Sequence, residues 1–411
     1  MLHYTKEGGG VILHLNIYEM FAGVGGFRVG FERGDAEFFR TVLANQWEPG
    51  KKNQFAYDCY AGNFPDSLTL NKDVHDISKE FYQGQSIDLV VGGHPCQSFS
   101  VAATASTGTG LDSDKGELYW EVARALEQTK APYFLIENVD RMLKSPTKQR
   151  GRDFRIMLEE YNRLGYVVEW RVINAAEYGM TQRRRRVFLL GYHKTTAYAQ
   201  SLSQEESHTI LASRGIFAQA FPHTLTTTER VGVVSDTEQD EAFLNSGVMR
   251  GGQYLTVKSD PIKEEPTPLS SILEPEVDEG YYLTAEKEAR FSYLRGPKKF
   301  DRVSKEGHSY VYSEGGMSPY DSLELPARTI LTSEGNVSRT THIIKDPHTN
   351  RLRYLTPLEC ERAMMFPDNW TSSLTKRQRY FTMGNAIVTG VVTRFSKELK
   401  RQLEPFLTDT E

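Results

Sequence analysis

Along the first half of the chain, short apolar runs alternate with stretches whose apolar residues recur at helical spacing. The runs LNIYEMF (15–21), TVLANQW (41–47), SIDLVV (86–91) and APYFLIENV (131–139) predict strands. DKGELYWEVARALEQT (114–129) and GRDFRIMLEEYNRLG (151–165) carry apolar residues three and four apart and predict the helices between them. YVVEWRVINAAEYG (166–179) and RVFLLGY (186–192) add two more strands. This alternation predicts an α/β fold with a Rossmann-like, doubly wound, mostly parallel sheet. In such sheets ligands bind beyond the carboxyl ends of the strands, so the turns after 21, 91 and 137 should converge on one crevice. From 196 to 344 the periodicity fades into Ser, Thr, Gly and scattered aromatics, which predicts a smaller, irregular second domain. Helical patterning resumes from 345: in RYLTPLECERAMMF, Thr356 can cap a helix with Pro357 first and Glu359 closing a capping box. MGNAIVTGVV (383–392) predicts a glycine turn opening a last helix.

Charge and cysteine content narrow the setting. The net charge of −5 means that any nucleic-acid surface must be a local patch. The three cysteines, Cys59, Cys96 and Cys360, form no C-x-x-C pair, which predicts free thiols in a reducing compartment and no metal site. No apolar run approaches the roughly 20 residues of a membrane span, and MLHYTKEGGG lacks the order of a signal peptide. A soluble, cytoplasmic protein without membrane contact is the expectation.

Candidate chemistry sits at the strand ends. Phe21, Gly23, Gly25 and Gly26 form a strand-to-helix turn that can hold an anionic ligand at a helix N-terminus or be a tight structural turn. Arg28 replaces the third glycine of a dinucleotide fingerprint, so a carboxylate-bearing ligand such as S-adenosylmethionine suits the turn better than a pyrophosphate. Gln46 or Glu48 can hold a ribose hydroxyl, and Trp47 can stack on adenine or simply pack. Asp73 can accept from an adenine amino group or cap a turn. Cys96, in GGHPCQSF, stands outside its strand, a position that suits a nucleophile as well as a structural thiol. Phe99 fills the place where a zinc deaminase needs a second cysteine. Glu137 closes LIENV, where a carboxyl can serve as an acid or a cap. The run Gln182-Arg183-Arg184-Arg185-Arg186 can meet phosphate or base, or stand as a solvated charge run.

Taken in order, FAGVGGF, PCQ, ENV, QRRRR and GNAIV resemble the motifs of the DNA (cytosine-5) methyltransferase family, of the bacterial or phage modification type. The resemblance spans residues 15–192 and 353–392 and leaves the middle unmatched. It implies a class I S-adenosylmethionine-dependent methyltransferase fold, with 1–195 as catalytic domain, 196–344 as target recognition domain and 345–411 returning to the catalytic domain. It implies methyl transfer from S-adenosyl-L-methionine to carbon 5 of a flipped-out cytosine in a specific DNA sequence, leaving S-adenosyl-L-homocysteine. Cys96 matches the family's nucleophile, Glu137 the group that protonates ring nitrogen 3, and Arg184 and Arg186 the arginines that hold the base. Phe21, Gly23, Gly25, Gly26, Trp47, Asp73, Pro95, Leu118 and Asn385 match the cofactor pocket. Gln46 stands where the family usually has an acid, leaving Gln46 or Glu48 for the ribose. Residues 98–115 resemble the loop that closes over the base. Double-stranded DNA is the implied partner and a monomer the expected state. A cognate restriction endonuclease is a candidate partner, and the bacterial nucleoid the implied place of action. RGGQY (250–254) and YLRGPKKFDR (293–302) are candidate DNA contacts, whereas RTILT (328–332) resembles an ordering motif. The runner-up is a transfer-RNA cytosine-5 methyltransferase of the same fold, whose Cys-Phe-Thr element is not found between 196 and 344. An inactive DNA-binding regulator would lack the cysteine or glutamate. A small-molecule methyltransferase or dehydrogenase would account for the glycine turn alone.

Overall fold

The structure, a computed structural model, describes residues 3–7, 10–93, 117–236, 241–303 and 307–406. The chain divides into two compact units. The first comprises Met1–Gly179, Arg184–Glu265 and Val388–Glu411, and the second Met180–Arg183 and Pro266–Ile387.

The first unit is built on one sheet. Its strands are β1 (His3–Glu7), β2 (Gly10–Met20), β3 (Phe39–Asn45), β4 (Leu68–Leu70), β5 (Leu89–Gly92), β6 (Tyr133–Asn138), β7 (Tyr166–Asn174), β8 (Arg185–His193), β9 (His223–Val233), β10 (Ser246–Arg250) and β11 (Gln253–Pro261). They lie in the order β4-β3-β2-β5-β6-β8-β7-β10-β11-β9, with β1 paired antiparallel to β2. The β4-β3-β2-β5-β6 half is parallel, and every later pairing is antiparallel. The register sets Met20 beside Gly92 and Gly92 beside Ile136, so β2, β5 and β6 end side by side. The three turns expected to converge do leave neighbouring strands.

Both faces of the sheet are covered. Val122 and Leu126 of the helix Glu117–Thr129 and Leu158 and Tyr161 of the helix Arg152–Arg163 share a core with Tyr18, Val90 and Ile136. Elsewhere in the unit, Phe31 of the helix Gly26–Asp35 packs on Phe39 of β3 and edge-on to Phe395 of the last long helix, Thr389–Leu403. That helix is further tied to Gly26–Asp35 through Arg33 to the Thr389 hydroxyl (3.1 Å) and Lys400 to Asp35 (2.6 Å). The C-terminal helix thus braces the helix that opens from the glycine turn.

The organisation differs from the sequence expectation at two boundaries. Compact units are cut after 265 and after 387, not after 195 and 344. Residues 223–261 extend the main sheet, β10 pairing with β7, and 345–387 belong to the second unit. The second unit holds β12 (Lys298–Val303) with β13 (Ser309–Glu314), and β14 (Ile343–Lys345) with β15 (Leu352–Tyr354). Its helix Pro357–Ala363 starts as the sequence predicts, Thr356 and Glu359 closing a reciprocal capping box. Glu359 is also held by Arg353 through two 2.8 Å bonds, a buried bidentate pair that joins helix to strand. Of MGNAIVTGVV, residues 383–385 end the helix Lys376–Asn385, and the last long helix starts at Thr389.

Candidate active site

The turn after β2 is a chain of constrained backbone positions. Phe21 (φ 52°), Gly23 (57°) and Gly25 (87°) all lie in the left-handed region, which costs a side-chain-bearing residue energy and marks Phe21 as held there by its surroundings. Phe21 packs partly buried on the sheet core, and the Ala22 N–H donates to the Asn45 carbonyl at 2.9 Å. At Gly25 a Cβ would stand 2.6 Å from the Phe64 ring, so the position admits glycine on two grounds. Gly26 begins the helix Gly26–Asp35.

Two acceptors order this turn. The Gly23 N–H donates to Gln46 Oε1 at 2.8 Å, which fixes the orientation of that amide. Glu19, fully buried at the end of β2, accepts from the Phe27 N–H (3.2 Å) and the Tyr60 hydroxyl (3.0 Å). Burial pushes the Glu19 carboxyl up to about 7, against the pull of its Tyr60 and backbone hydrogen bonds. Arg28 is structural: it bonds Glu32 (2.6 Å), Ser67 (2.7 Å) and Asp66 (3.1 Å) and lies over the Phe64 ring.

Beyond β3, Gln46 is buried while Trp47 and Glu48 are half-buried. The Glu48 N–H donates to Gln54 Oε1 (2.8 Å), and Gln54 Nε2 returns a bond to the Glu48 carbonyl (2.9 Å). Burial raises the Glu48 carboxyl above its ordinary range, opposed by Lys51, and Oε2 is buried with no hydrogen-bond partner among the described residues. Asp73 caps the turn Val74–Asp76 by accepting from the His75 N–H (3.1 Å), and its Oδ1 also meets the His75 ring (2.7 Å). Leu118 packs partly buried against the core cluster of the sheet.

Two of the four catalytic candidates meet at the end of β6. Glu137 pairs with Arg186 of β8 at 2.8 Å, both side chains largely but not wholly buried. The antiparallel register that sets Asn138 opposite Val187 brings the two together. Gly93 stands against this pair: a Cβ there would lie 2.9 Å from Glu137 Oε2. Pro95, Cys96 and the loop 98–115 lie outside the described residues.

The arginine run is divided by burial. Arg184 is buried, Arg185 is exposed and pairs with Asp140 (2.7 Å), and Arg186 also donates to the Arg185 carbonyl. Gln182, fully buried in the second unit, donates to the Ala363 carbonyl and accepts from the Ile330 N–H. The RTILT segment bonds the same stretch, Thr329 to the Arg183 carbonyl at 2.6 Å. Asn385, exposed, ends the helix Lys376–Asn385 of that unit.

A family model described as C-5 cytosine-specific DNA methylase matches residues 15–401. The chain belongs to the C-5 cytosine-specific DNA methylase family. It is a DNA cytosine-5 methyltransferase. The Type II methyltransferase M.Sau3AI of Staphylococcus aureus is 44% identical over 397 residues, 94% of this chain and 96% of that protein. The Type II methyltransferase M.SsoII of Shigella sonnei is 24% identical across 94% of this chain and 80% of its own length. Among solved structures, the Dnmt2 methyltransferase of S. pombe aligns over 95% of this chain and 99% of its own with a TM-score of 0.60 at 16% identity. That likeness shows the methyltransferase fold.

Several residues of this methyltransferase were not anticipated. Glu19, Tyr60 and Phe64 order the glycine turn, and Gly93 makes room for Glu137. A carboxylate placed two residues before Phe21 was the available signal for Glu19. One expectation is corrected. Arg250 of RGGQY donates to the carbonyls of Leu202, Ser203 and Glu205, so its guanidinium anchors the chain. It also ends β10 on the edge of the sheet away from Asn174 and Arg185.

Proposed function

We propose that this methyltransferase moves a methyl group from S-adenosylmethionine to carbon 5 of a cytosine flipped out of a specific duplex sequence, through a covalent bond to Cys96. The observation that carries the reading is the Glu137–Arg186 pair, set at the carboxyl end of β6 against Gly93, three residues before Cys96. Carbon 5 of cytosine is a weak nucleophile, so activation has to come from addition at carbon 6. The Cys96 thiolate forms a bond to carbon 6 while Glu137 delivers a proton to ring nitrogen 3, and the electron pair released reaches carbon 5 as an enamine. Arg186 orients the Glu137 carboxyl, and on the family pattern Arg184 and Arg186 hold the base. After carbon 5 takes the methyl group, its proton passes to solvent water, the C–H electron pair re-forms the 5,6 double bond and Cys96 leaves as thiolate. Glu137 recovers the proton from nitrogen 3. Carbon 6 is hidden in a stacked duplex, so the base must leave the helix at a cost of about a few kcal/mol.

The residues present fit the cofactor. Among the described residues nothing lies within 4 Å of a Cβ placed at Gly23, and Glu48 Oε2 is a buried acceptor without a hydrogen-bond partner. When bound, S-adenosylmethionine supplies an electrophilic methyl group on a sulfonium. Phe21, Gly23, Gly25 and Gly26 would hold its methionine end at the helix N-terminus, Trp47 and Asp73 its adenine. Glu48 would accept from the ribose, because Gln46 Oε1 is occupied by Gly23. Pro95 and Leu118 complete the first unit's share of the pocket on the family pattern. Target recognition falls to the second unit, from residue 266 to about the RTILT segment, while 196–265 supports the catalytic sheet. Likeness to the Type II methyltransferases supports a role in restriction and modification, with double-stranded DNA as substrate, a cognate endonuclease as companion and a cytoplasmic monomer at the nucleoid.

The test is incubation with plasmid DNA and S-adenosylmethionine followed by bisulfite mapping. Methylation of one short motif is expected, and Cys96→Ser should abolish it while retaining S-adenosylhomocysteine binding. Transfer to RNA alone, or full activity of the serine variant, would overturn the reading.

A further inference from the structure

The second unit carries a two-stranded ribbon that covers nothing among the described residues of that unit. Residues 298–303 and 309–314 pair antiparallel, Phe300 opposite Tyr312 and Arg302 opposite Tyr310. Exposed large apolar side chains gather here: Tyr293, Phe300, Val303, Tyr310, Val311 and Tyr320, six of the fourteen in the described chain, fall between 293 and 320. A patch of this kind on a ribbon exposed on both faces marks a surface meant for a partner.

The ribbon is rigid at its base. One guanidinium, Arg339, donates to the carbonyls of Leu294 and Gly296 before β12 and of Gly315 after β13, and pairs with Glu314 at 3.0 Å. Buried Arg295 fastens the same root to Asp321 (3.0 Å), the Ser318 carbonyl (3.0 Å) and the Thr341 carbonyl (2.6 Å). Charge then selects the partner. Lys298 shares Glu314 with Arg339, but Lys299 and Arg302 form no ion pair with any described residue. Arg302 lies over the rings of Tyr312 (4.3 Å) and Phe300 (5.1 Å), which hold its guanidinium extended along one face of the ribbon. The other face presents Val303 and Val311.

We propose that this ribbon enters the major groove of duplex DNA, with Arg302 addressing the N7 and O6 edge of a guanine. The proposal rests on the DNA-methyltransferase reading. The major groove admits a two-stranded ribbon, and an arginine meets guanine N7 and O6 with two parallel bonds. Stacking on two rings restricts the Arg302 side chain before DNA arrives, which lowers the entropic cost of that contact. Lys299, on the opposite face, suits a backbone phosphate. A guanine is always available, since the target cytosine is paired with one.

The experiment measures methyl transfer by the wild type and by Arg302→Ala on a cognate duplex in which each guanine in turn is 7-deazaguanine, which lacks the N7 acceptor. Wild-type kcat/KM should fall about 10- to 100-fold at one guanine position. Arg302→Ala should show that loss on natural DNA and no further loss at that position, with S-adenosylhomocysteine affinity unchanged. Wild-type transfer unaffected by 7-deazaguanine at every position would overturn the proposal. So would full activity of Arg302→Ala, or a 7-deaza penalty of unchanged size in that variant. A wild-type protein that transfers no methyl group to any natural DNA overturns the underlying reading, and the proposal with it.

Discussion

Gly23 and Gly25 sit two residues apart in the same turn, and alanine at each should fail in a different assay. Gly25 has φ 87° and a Cβ there would meet the Phe64 ring at 2.6 Å and the Tyr60 ring at 3.2 Å. Left-handed backbone costs an alanine about 1–2 kcal/mol, and forcing a methyl into packed rings adds about 1–3 kcal/mol. Gly25→Ala should therefore lose about 2–5 kcal/mol, a large part of an ordinary folding stability of about 5–15 kcal/mol. Gly23 has φ 57° but nothing among the described residues within 4 Å of its Cβ position, so Gly23→Ala should lose only the backbone cost of about 1–2 kcal/mol. If the open space before Gly23 receives the cofactor, its methyl group intrudes there instead. Urea unfolding and S-adenosylhomocysteine titration of both variants separate the two effects. The expected pattern is a severe stability loss for Gly25→Ala, and for Gly23→Ala a mild stability loss with affinity reduced at least about tenfold, some 1.4 kcal/mol. Equal stability losses would refute the packing argument, and undiminished affinity in Gly23→Ala would refute the placement of the ligand.

Other outcomes follow from the same geometry. Glu19 has a folded value near 7, above the unfolded value of about 4.3. Its contribution to stability is therefore full below about pH 4.3 and lost as pH rises through about 7. Glu19→Gln should flatten that part of a stability profile taken by urea unfolding from pH 5 to 8; an unchanged slope would count against it. Glu48→Ala should weaken S-adenosylhomocysteine about 10- to 100-fold, the worth of a hydrogen bond to a charged acceptor, while an analogue without ribose hydroxyls binds both proteins alike. Arg250→Ala should lower stability by about 1–3 kcal/mol by stripping partners from three carbonyls, yet leave the salt dependence of DNA binding unchanged.

β2, β3, β5 and β6 were legible because they are largely buried and read as apolar runs ending in glycine or polar turns, whereas the three-residue, partly exposed β4 was not. The capping box at Thr356 was legible because its chemistry is contained within four residues. β9 was not, since HTLTTTERVGV is half-buried or exposed along its whole length and shows no apolar face. β10 is five residues long and owes its place to pairing with β7, some 75 residues earlier. Without those strands the sequence pattern places the domain boundary at 195. At the site, the strand ends named the residues, but partnerships across the chain decided their roles. Gln46 orders Gly23 and so passes the ribose role to Glu48, and Glu19 meets a hydroxyl 41 residues away. Arg186 reaches Glu137 only because β8 runs antiparallel to β6.

The covalent step admits the most direct measurement. A duplex carrying 5-fluorocytosine at the target position has no proton on carbon 5 to lose after methyl transfer, so the Cys96 bond to carbon 6 cannot be released. Incubated with this duplex and S-adenosylmethionine, the protein should form a denaturant-resistant DNA complex whose peptide map places the bond at Cys96. No stable complex from protein that methylates the ordinary duplex, or a bond at Cys59 or Cys360, would contradict the account.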